Sequence, residues 1–134
     1  MYKNVKFNQI DGIKTKGSKE YVSNPKLLEE LLKSKELGRP TDAFTKMVIL
    51  IATNISKKLH YVDEDDRDDC IQYAIMDCLT YGYQKFDETK SKNAFAYLTS
   101  VCSNGFAKGW RKLGYYDLPA SKKTRLDSGE VYSI

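Results

Sequence analysis

The stretch KFDETKSKNAFAYL, residues 85–98, places two aromatic residues, Phe86 and Tyr97, on either side of a charged, turn-prone loop. A basic segment, NGFAKGWRKLGYY, follows at residues 104–116. Aromatic side chains beside a basic helix are suited to holding an unstacked nucleic-acid base, because every base has a π-face. The residue types and their order are therefore compatible with nucleic-acid binding.

A helix is predicted to begin near Ser91 or Asn93 and to end near Leu113. One side of it would carry Tyr97, Val101, Asn104, Lys108, Arg111 and Lys112, most of which are candidates for binding. Its opposite side is the predicted core stripe of Phe95, Leu98, Cys102, Phe106 and Gly109. An asparagine amide can hydrogen-bond a base edge, and the cations can reach phosphates. The same spacing also fits a structural alternative, in which Tyr97 and Trp110 pack in the core and the cations form a solvated face.

Enzymatic chemistry lacks its usual residues. His60 is the single histidine, so neither a histidine-based metal site nor a Ser-His-Asp triad can be assembled. The acidic run DEDDRDD at residues 63–69 is predicted to start a helix, since consecutive helical residues point in different directions and do not converge on one metal ion. Glycine-rich phosphate-binding loops are absent from the sequence. We therefore expect no enzyme, no metal and no cofactor.

The elements that must position these residues are also predicted to be helices. The first follows Ser23-Asn24-Pro25 and stops at Gly38, and the second is capped by Thr41 or Asp42. The third starts within DEDDRDDC, where acidic residues favour the positive end of a helix. The prediction is a small all-α bundle of about four helices with loosely ordered tails. Its parts are a flexible segment 1–22, a helical domain 23–113 and a basic tail 114–134.

Composition and charge set the broad class. The 134 residues are 41% hydrophobic and 30% charged, which is typical of one soluble domain. Three scattered cysteines indicate buried thiols in a reducing cytosol. The longest apolar run, at 47–52, is too short to cross a membrane, and a signal-peptide core is absent. We expect a cytoplasmic protein without membrane contact.

The charge is divided along the chain. Residues 61–90 hold nine acidic side chains against three basic ones, whereas residues 91–126 hold seven basic side chains against one acidic. This division suggests two faces with different partners, of which the basic face is suited to nucleic acid. Lopsided charge also occurs in helical proteins for solubility alone, so charge does not decide between these interpretations.

The pattern Asp69-Cys-Ile-Gln72, Lys85-Phe86-Asp87 and Tyr97-Leu98 resembles the second domain of bacterial sigma factors. The span from about Pro25 to Leu113 is most similar to the short late-transcription sigma factors of large tailed phages. In that family FDETK-x-KN-x-x-AY is close to a signature, and here it reads FDETKSKNAFAY.

The resemblance implies a role for each matching residue. Phe86, Asp87, Lys90 and Tyr97 would line the pocket that captures a flipped adenine of the promoter melting element. Asn104 and Lys108 would contact the upstream base pairs that are still duplex. The helix before them would grip the clamp helices of the largest polymerase subunit through Asp69, Gln72, Tyr73, Met76 and Thr80.

The resemblance also implies partners and a dependence on them. Ser100 and Val101 stand where primary sigma factors carry tandem tryptophans, so we expect weak autonomous melting. The residues after Leu113 are too few for the helix-turn-helix domain that reads the upstream promoter element. The implied partners are host core RNA polymerase, AT-rich late-promoter DNA, a phage co-activator and the replication sliding clamp, all in the cytoplasm of the bacterial host. Two alternatives stay open: a small helical DNA-binding repressor or accessory protein, and a polymerase-binding regulator that makes no base contacts.

Overall fold

The computed structural model describes residues 13–16, 19–59, 61 and 63–114. Within them lie a two-stranded hairpin and a bundle of four long helices, which confirms the predicted small all-α class. The predicted tail 114–134 lies almost wholly outside the described residues, as do His60 and residues 1–12. None of the helices in the described ranges has the length and hydrophobicity needed to cross a bilayer.

The helix boundaries follow from local capping chemistry. Helix α1, Asn24–Leu37, has Ser23 at its N-cap and ends at Gly38, whose φ of 75° is the left-handed conformation that glycine adopts readily. Helix α2, Asp42–Ser56, is capped by Thr41, whose side chain accepts from the Phe44 amide at 3.1 Å. Both ends of α1 and the start of α2 match their predicted positions.

The third and fourth long helices follow the same rule. Helix α3, Glu64–Asp77, is capped by Asp63, which accepts from the Asp66 amide at 2.9 Å. It continues into a π-helical segment, Cys78–Gly82, and a short turn of α-helix, α4, Tyr83–Lys85. Helix α5, Ala94–Lys112, is capped by Asn93. The acidic run thus starts a helix, as predicted, and the π-helical segment is new.

Helix α2 is the centre of the bundle. Its residues from Met47 to Ala52 are all buried, including those on opposite sides of the helix. A helix that is apolar all round needs partners all round. Contacts with α1, α3, α5 and the hairpin supply them.

The hairpin lies within residues 1–22, which were predicted to form a flexible segment. Strands β1, Ile13–Lys16, and β2, Lys19–Val22, pair antiparallel with Ile13 opposite Val22. Val22 is buried in the core, and Ile13 packs against it. These apolar side chains at the open end of the hairpin attach it to the bundle, since β2 contacts α2.

Helices α3 and α5 cross at unusually short range. A Cβ atom placed on Gly105 would lie 2.6 Å from the Cα of Ala74, and one on Gly109 would lie 2.8 Å from the Sγ of Cys70. Small residues on both helices therefore let the two backbones touch. This crossing sets the relative position of all the candidate site residues on α3 and α5.

Two predicted positions on α5 are corrected. Phe95 was expected in the core stripe but is 44% exposed, because it lies in the first turn, at the edge of the bundle. Val101 was expected on the polar side but is 6% exposed. The buried face of α5 is wider than predicted, since α5 packs against α1, α2 and α3 together.

Candidate functional site

Phe86 and Tyr97 meet across the loop that separates them in sequence. Their ring centroids lie 5.1 Å apart with the planes at 62°, an edge-to-face contact. Phe86 is 2% exposed, whereas Tyr97 is half-buried. The Phe86 ring therefore supports Tyr97 from the core side, and the exposed part of Tyr97 is the surface that could meet a base.

The Tyr97 hydroxyl is held as well as the ring. It donates a hydrogen bond to the backbone carbonyl of Gly82, at 2.6 Å, in the π-helical segment. Burial raises the pKa of this phenol, so the hydroxyl stays protonated and able to donate. The tyrosine is thus fixed in place by a hydrogen bond and by a packed ring.

The loop after Phe86 is built around Asp87. One carboxylate oxygen accepts from the Thr89 hydroxyl at 2.6 Å and from the Thr89 amide at 3.0 Å. The Thr89 hydroxyl bond is the main reason that the pKa of Asp87 lies below its usual value. Asp87 therefore shapes the turn, because it accepts both bonds from Thr89. Lys90 lies in the same loop and is exposed, so it is open to a ligand.

Two asparagines join the starts of α1 and α5. Asn24 donates from Nδ2 to Oδ1 of Asn93 at 3.0 Å, and its own Oδ1 accepts from the Phe95 amide at 3.0 Å. Asn93 in turn accepts from the Ala96 amide. This role of Asn24 could not be predicted from the sequence, because its partner Asn93 lies 69 positions away.

The polar side of α5 is a stripe that we call the α5 cation stripe: Asn104, Lys108, Arg111 and Lys112, all exposed. The ammonium of Lys108 lies 3.0 and 3.1 Å from the two carboxylate oxygens of Asp77, which is 7% exposed. Its hydrogen bond to Asp77 raises the pKa of Lys108. Arg111 and Lys112, by contrast, form no ion pair with the described residues.

Asp77 and Tyr81 are site neighbours that sequence analysis did not single out. The Lys108 ammonium lies 5.4 Å from the centroid of the Tyr81 ring, and that of Lys85 lies 5.2 Å from it. Burial, followed by the charge of Asp77, raises the pKa of Tyr81. Part of the positive charge of α5 is therefore already compensated within the fold.

The predicted polymerase-binding residues form one continuous stripe on α3 and the π-helical segment, which we call the α3 face. Met76 lies in its middle and is 55% exposed. The Thr80 hydroxyl donates to the carbonyl of Met76 at 2.7 Å, so it is used locally. The remaining members are exposed or partly exposed: Asp69, Gln72 and Tyr73. The face is polar with one apolar side chain at its centre.

The α3 face and the α5 cation stripe adjoin. Tyr73 lines a surface depression of about 240 Å³ together with Lys108, Arg111 and Lys112. Tyr73 was predicted to contact polymerase and the three cations to contact DNA, and the fold brings both groups to one place. We call this feature the α3–α5 depression.

A larger and more open depression, of about 570 Å³, lies between the end of α2 and the start of α3. Its walls carry both charges, and Arg67 there is engaged by Glu64 at 3.3 Å and by the Ser56 hydroxyl at 3.2 Å. Sequence analysis assigned no function to this region. Within the described residues, no group of three or more histidine, cysteine or acidic side chains is arranged to hold a metal ion.

Comparison with known proteins adds no family to this geometry. The chain matches no protein-family model, no curated protein and no solved structure.

Proposed function

We propose that this protein is a sigma factor of the short phage late-transcription type. It binds host core RNA polymerase, directs it to AT-rich late promoters and holds a flipped base of the melting element. In this proposal it catalyses no reaction and uses no cofactor. The replication sliding clamp and a phage co-activator are its further partners in this proposal.

The observation that carries the proposal is the arrangement of two unlike surfaces on one closely packed helix pair. The α3 face offers polar groups around an exposed methionine, which suits a protein partner. The α5 cation stripe offers Arg111 and Lys112 to phosphates. Because α3 and α5 touch at the level of their backbones, both surfaces keep a constant relative position.

The Phe86–Tyr97 pair supports the base-binding part of the proposal. Stacking of one base on one aromatic side chain is worth roughly 1–3 kcal/mol, which is comparable with the cost of extruding a base. A ring held in advance by Phe86 and by the Gly82 carbonyl loses little freedom when a base stacks on it. Four residues match the base pocket of the family. Phe86 and Asp87 position the ring and the loop, whereas Tyr97 and Lys90 are accessible to a base.

The test begins with binding to purified core RNA polymerase, followed by run-off transcription on AT-rich templates that are relaxed, supercoiled or mismatched over the melting element. We expect weak transcription on relaxed duplex and strong transcription on the pre-melted template. Absence of binding to core would exclude a sigma factor. DNA binding without core binding would favour the repressor, and core binding without any effect on promoter opening would favour the regulator.

A double variant tests which surface meets polymerase. Asp69→Lys with Gln72→Ala should weaken core binding by at least 10-fold, since a lost interfacial polar contact is worth about 1–3 kcal/mol and reversed charge adds to that. Glu36→Lys, a charge reversal at an exposed position of α1, is the matched control and should bind core like the wild type. Equal affinities of the two variants would remove the α3 face from the proposal.

A further inference from the structure

The α3–α5 depression has walls of one electrical sign. Among the described residues it is lined by Tyr73, Lys108, Arg111 and Lys112, and none of these is acidic. Lys108 is held by Asp77, whereas Arg111 and Lys112 make no ion pair with the described residues. Two cations are therefore available to an anion at this place.

The size of the depression indicates a small occupant. At about 240 Å³ it lies below the roughly 300–1,000 Å³ that is typical of sites for small organic ligands and cofactors. It is also open to solvent. A group that projects from a larger molecule fits it better than a free ligand that must be enclosed.

The two available cations suit a polyanion. Arg111 and Lys112 are consecutive on α5, so they lie about 1.5 Å apart along the helix axis and about 100° apart around it. Phosphates of one DNA strand follow one another at about 3.4 Å of duplex axis, so two long basic side chains that start this close together can each meet a different phosphate of that strand. The negative end of the α5 dipole opposes an anion here, and the nearby cations offset that effect.

Tyr73 distinguishes this site from a surface patch that offers only basic side chains. Its side chain is partly exposed, lines the depression from α3 and forms no hydrogen bond with the described residues. A phenol hydroxyl can donate to a phosphate oxygen, and tyrosine is among the residues that make such contacts.

We infer that the α3–α5 depression binds the phosphodiester backbone of duplex DNA and that Tyr73 is one of its contacts, rather than a contact with polymerase. The inference rests on the proposed function, because it assigns the promoter duplex a path across that same surface. In this inference Tyr73 belongs to the DNA-binding surface, and the other residues of the α3 face remain candidates for polymerase binding. Arg111 and Lys112 supply charge, and the Tyr73 hydroxyl supplies a directed hydrogen bond.

The experiment compares DNA affinity with polymerase affinity for the same variants of the full chain. Fluorescence anisotropy with a short labelled AT-rich duplex, over a range of salt concentrations, measures DNA binding. Tyr73→Phe keeps the ring and should lower duplex affinity about 3- to 10-fold, the loss of one exposed hydrogen bond to a charged group. Arg111→Ala and Lys112→Ala should each reduce the slope of log affinity against log salt by about one. Lys46→Ala, an exposed lysine on α2, is the matched control and should leave that slope unchanged.

Core polymerase binding by Tyr73→Phe should equal that of the wild type, whereas Met76→Ala, on the α3 face, should weaken it. Reduced core affinity of Tyr73→Phe, or unchanged duplex affinity, would overturn the inference. A defect of Tyr73→Ala confined to single-stranded DNA would point to base stacking and would overturn it too. Failure of the wild-type chain to bind core would sink the proposed sigma function, whereas the duplex measurements would still decide whether Tyr73 contacts DNA.

Discussion

The hydroxyl of Tyr97 donates a hydrogen bond to the carbonyl of Gly82 at 2.6 Å, so the side chain proposed to receive a base is also tied to the π-helical segment. The ring and the hydroxyl therefore have separable roles. Tyr97→Phe should lower the free energy of unfolding by about 0.5–1.5 kcal/mol, because it removes this bond and keeps the ring. Thermal denaturation should show a fall of about 4–8 °C for each kcal/mol in a domain of this size. An unchanged midpoint would mean that water replaces the hydroxyl without loss.

The ring of Tyr97 is tested by promoter opening. Tyr97→Ala should reduce opening by about 5- to 150-fold, since a stacking surface worth about 1–3 kcal/mol is lost. Fluorescence of 2-aminopurine at the flipped position, in complexes with core polymerase, measures it. Tyr97→Leu keeps apolar volume against Phe86 without an aromatic face and should show the same defect in a folded protein. Tyr97→Phe should open promoters nearly as well as the wild type. Normal opening by Tyr97→Leu would contradict base stacking.

The crossing of α3 and α5 should tolerate no added methyl group. Gly105→Ala places a Cβ 2.6 Å from the Cα of Ala74, and backbone atoms cannot move aside as a flexible side chain can. We expect a loss of about 1–3 kcal/mol of stability from overpacking, although alanine is the better helix former by about 1 kcal/mol. Chemical denaturation followed by circular dichroism measures it. Ser100→Ala, exposed on the same helix, should change stability by less than about 0.5 kcal/mol. A stabilised Gly105→Ala would show that the helices separate freely.

The Asp77–Lys108 pair should behave as a coupled unit in a double-mutant cycle. Lys108→Met leaves the buried Asp77 carboxylate without its cation and should destabilise the protein by about 1–3 kcal/mol. Adding Asp77→Asn should recover part of that loss, because the uncompensated charge is gone. Strictly additive effects, measured by denaturant unfolding, would show that the two groups do not interact.

Lys108 is accordingly a poor choice for measuring phosphate contacts, since its removal disturbs the fold as well as the surface. Lys112 is the better variant, because it is exposed and forms no ion pair with the described residues.

The cysteines should resist alkylation in the native protein. Burial, and next the charges of Asp66 and Asp69, raise the pKa of Cys70 to about 12. A raised pKa favours the unreactive thiol, so the thiolate fraction at pH 8 is roughly 10³-fold lower than for an ordinary cysteine of pKa about 8.5. Mass spectrometry after iodoacetamide treatment should find Cys70 unmodified at pH 8 and all three cysteines modified in denaturant. Rapid labelling of native Cys70 would place it at the surface.

The helices were predictable because their signals are local. Thr41, Asp63 and Asn93 each cap a helix through a side-chain oxygen that accepts an amide a few residues later. The hairpin was missed because few of its residues are apolar, and its attachment depends on Ile13 and Val22 meeting a helix that comes later in the chain. The π-helical segment has no compositional signal at all.

The candidate site was predictable only in part. The spacing of Asn104, Lys108, Arg111 and Lys112 on one side of a helix follows from its period of 3.6 residues. Helical periodicity does not predict the ion pair of Lys108 or the approach of Tyr73 to Arg111, since both depend on how two helices cross. Sequence periodicity describes each helix alone, whereas the charge that a helix offers to a ligand also depends on the residues of neighbouring helices.

The short-range crossing also restricts how the sequence can vary. Positions 74 and 105 share one space, and positions 70 and 109 share another, so a larger side chain at one member of a pair requires a smaller one at the other or a new crossing angle. The residues of the α3 face and of the α5 cation stripe are not coupled in this way, so they can change when the binding partner changes. Distant relatives of this chain should therefore be recognised by four small residues at the helix contact, in the order 70, 74, 105 and 109, sooner than by the residues that bind polymerase or DNA.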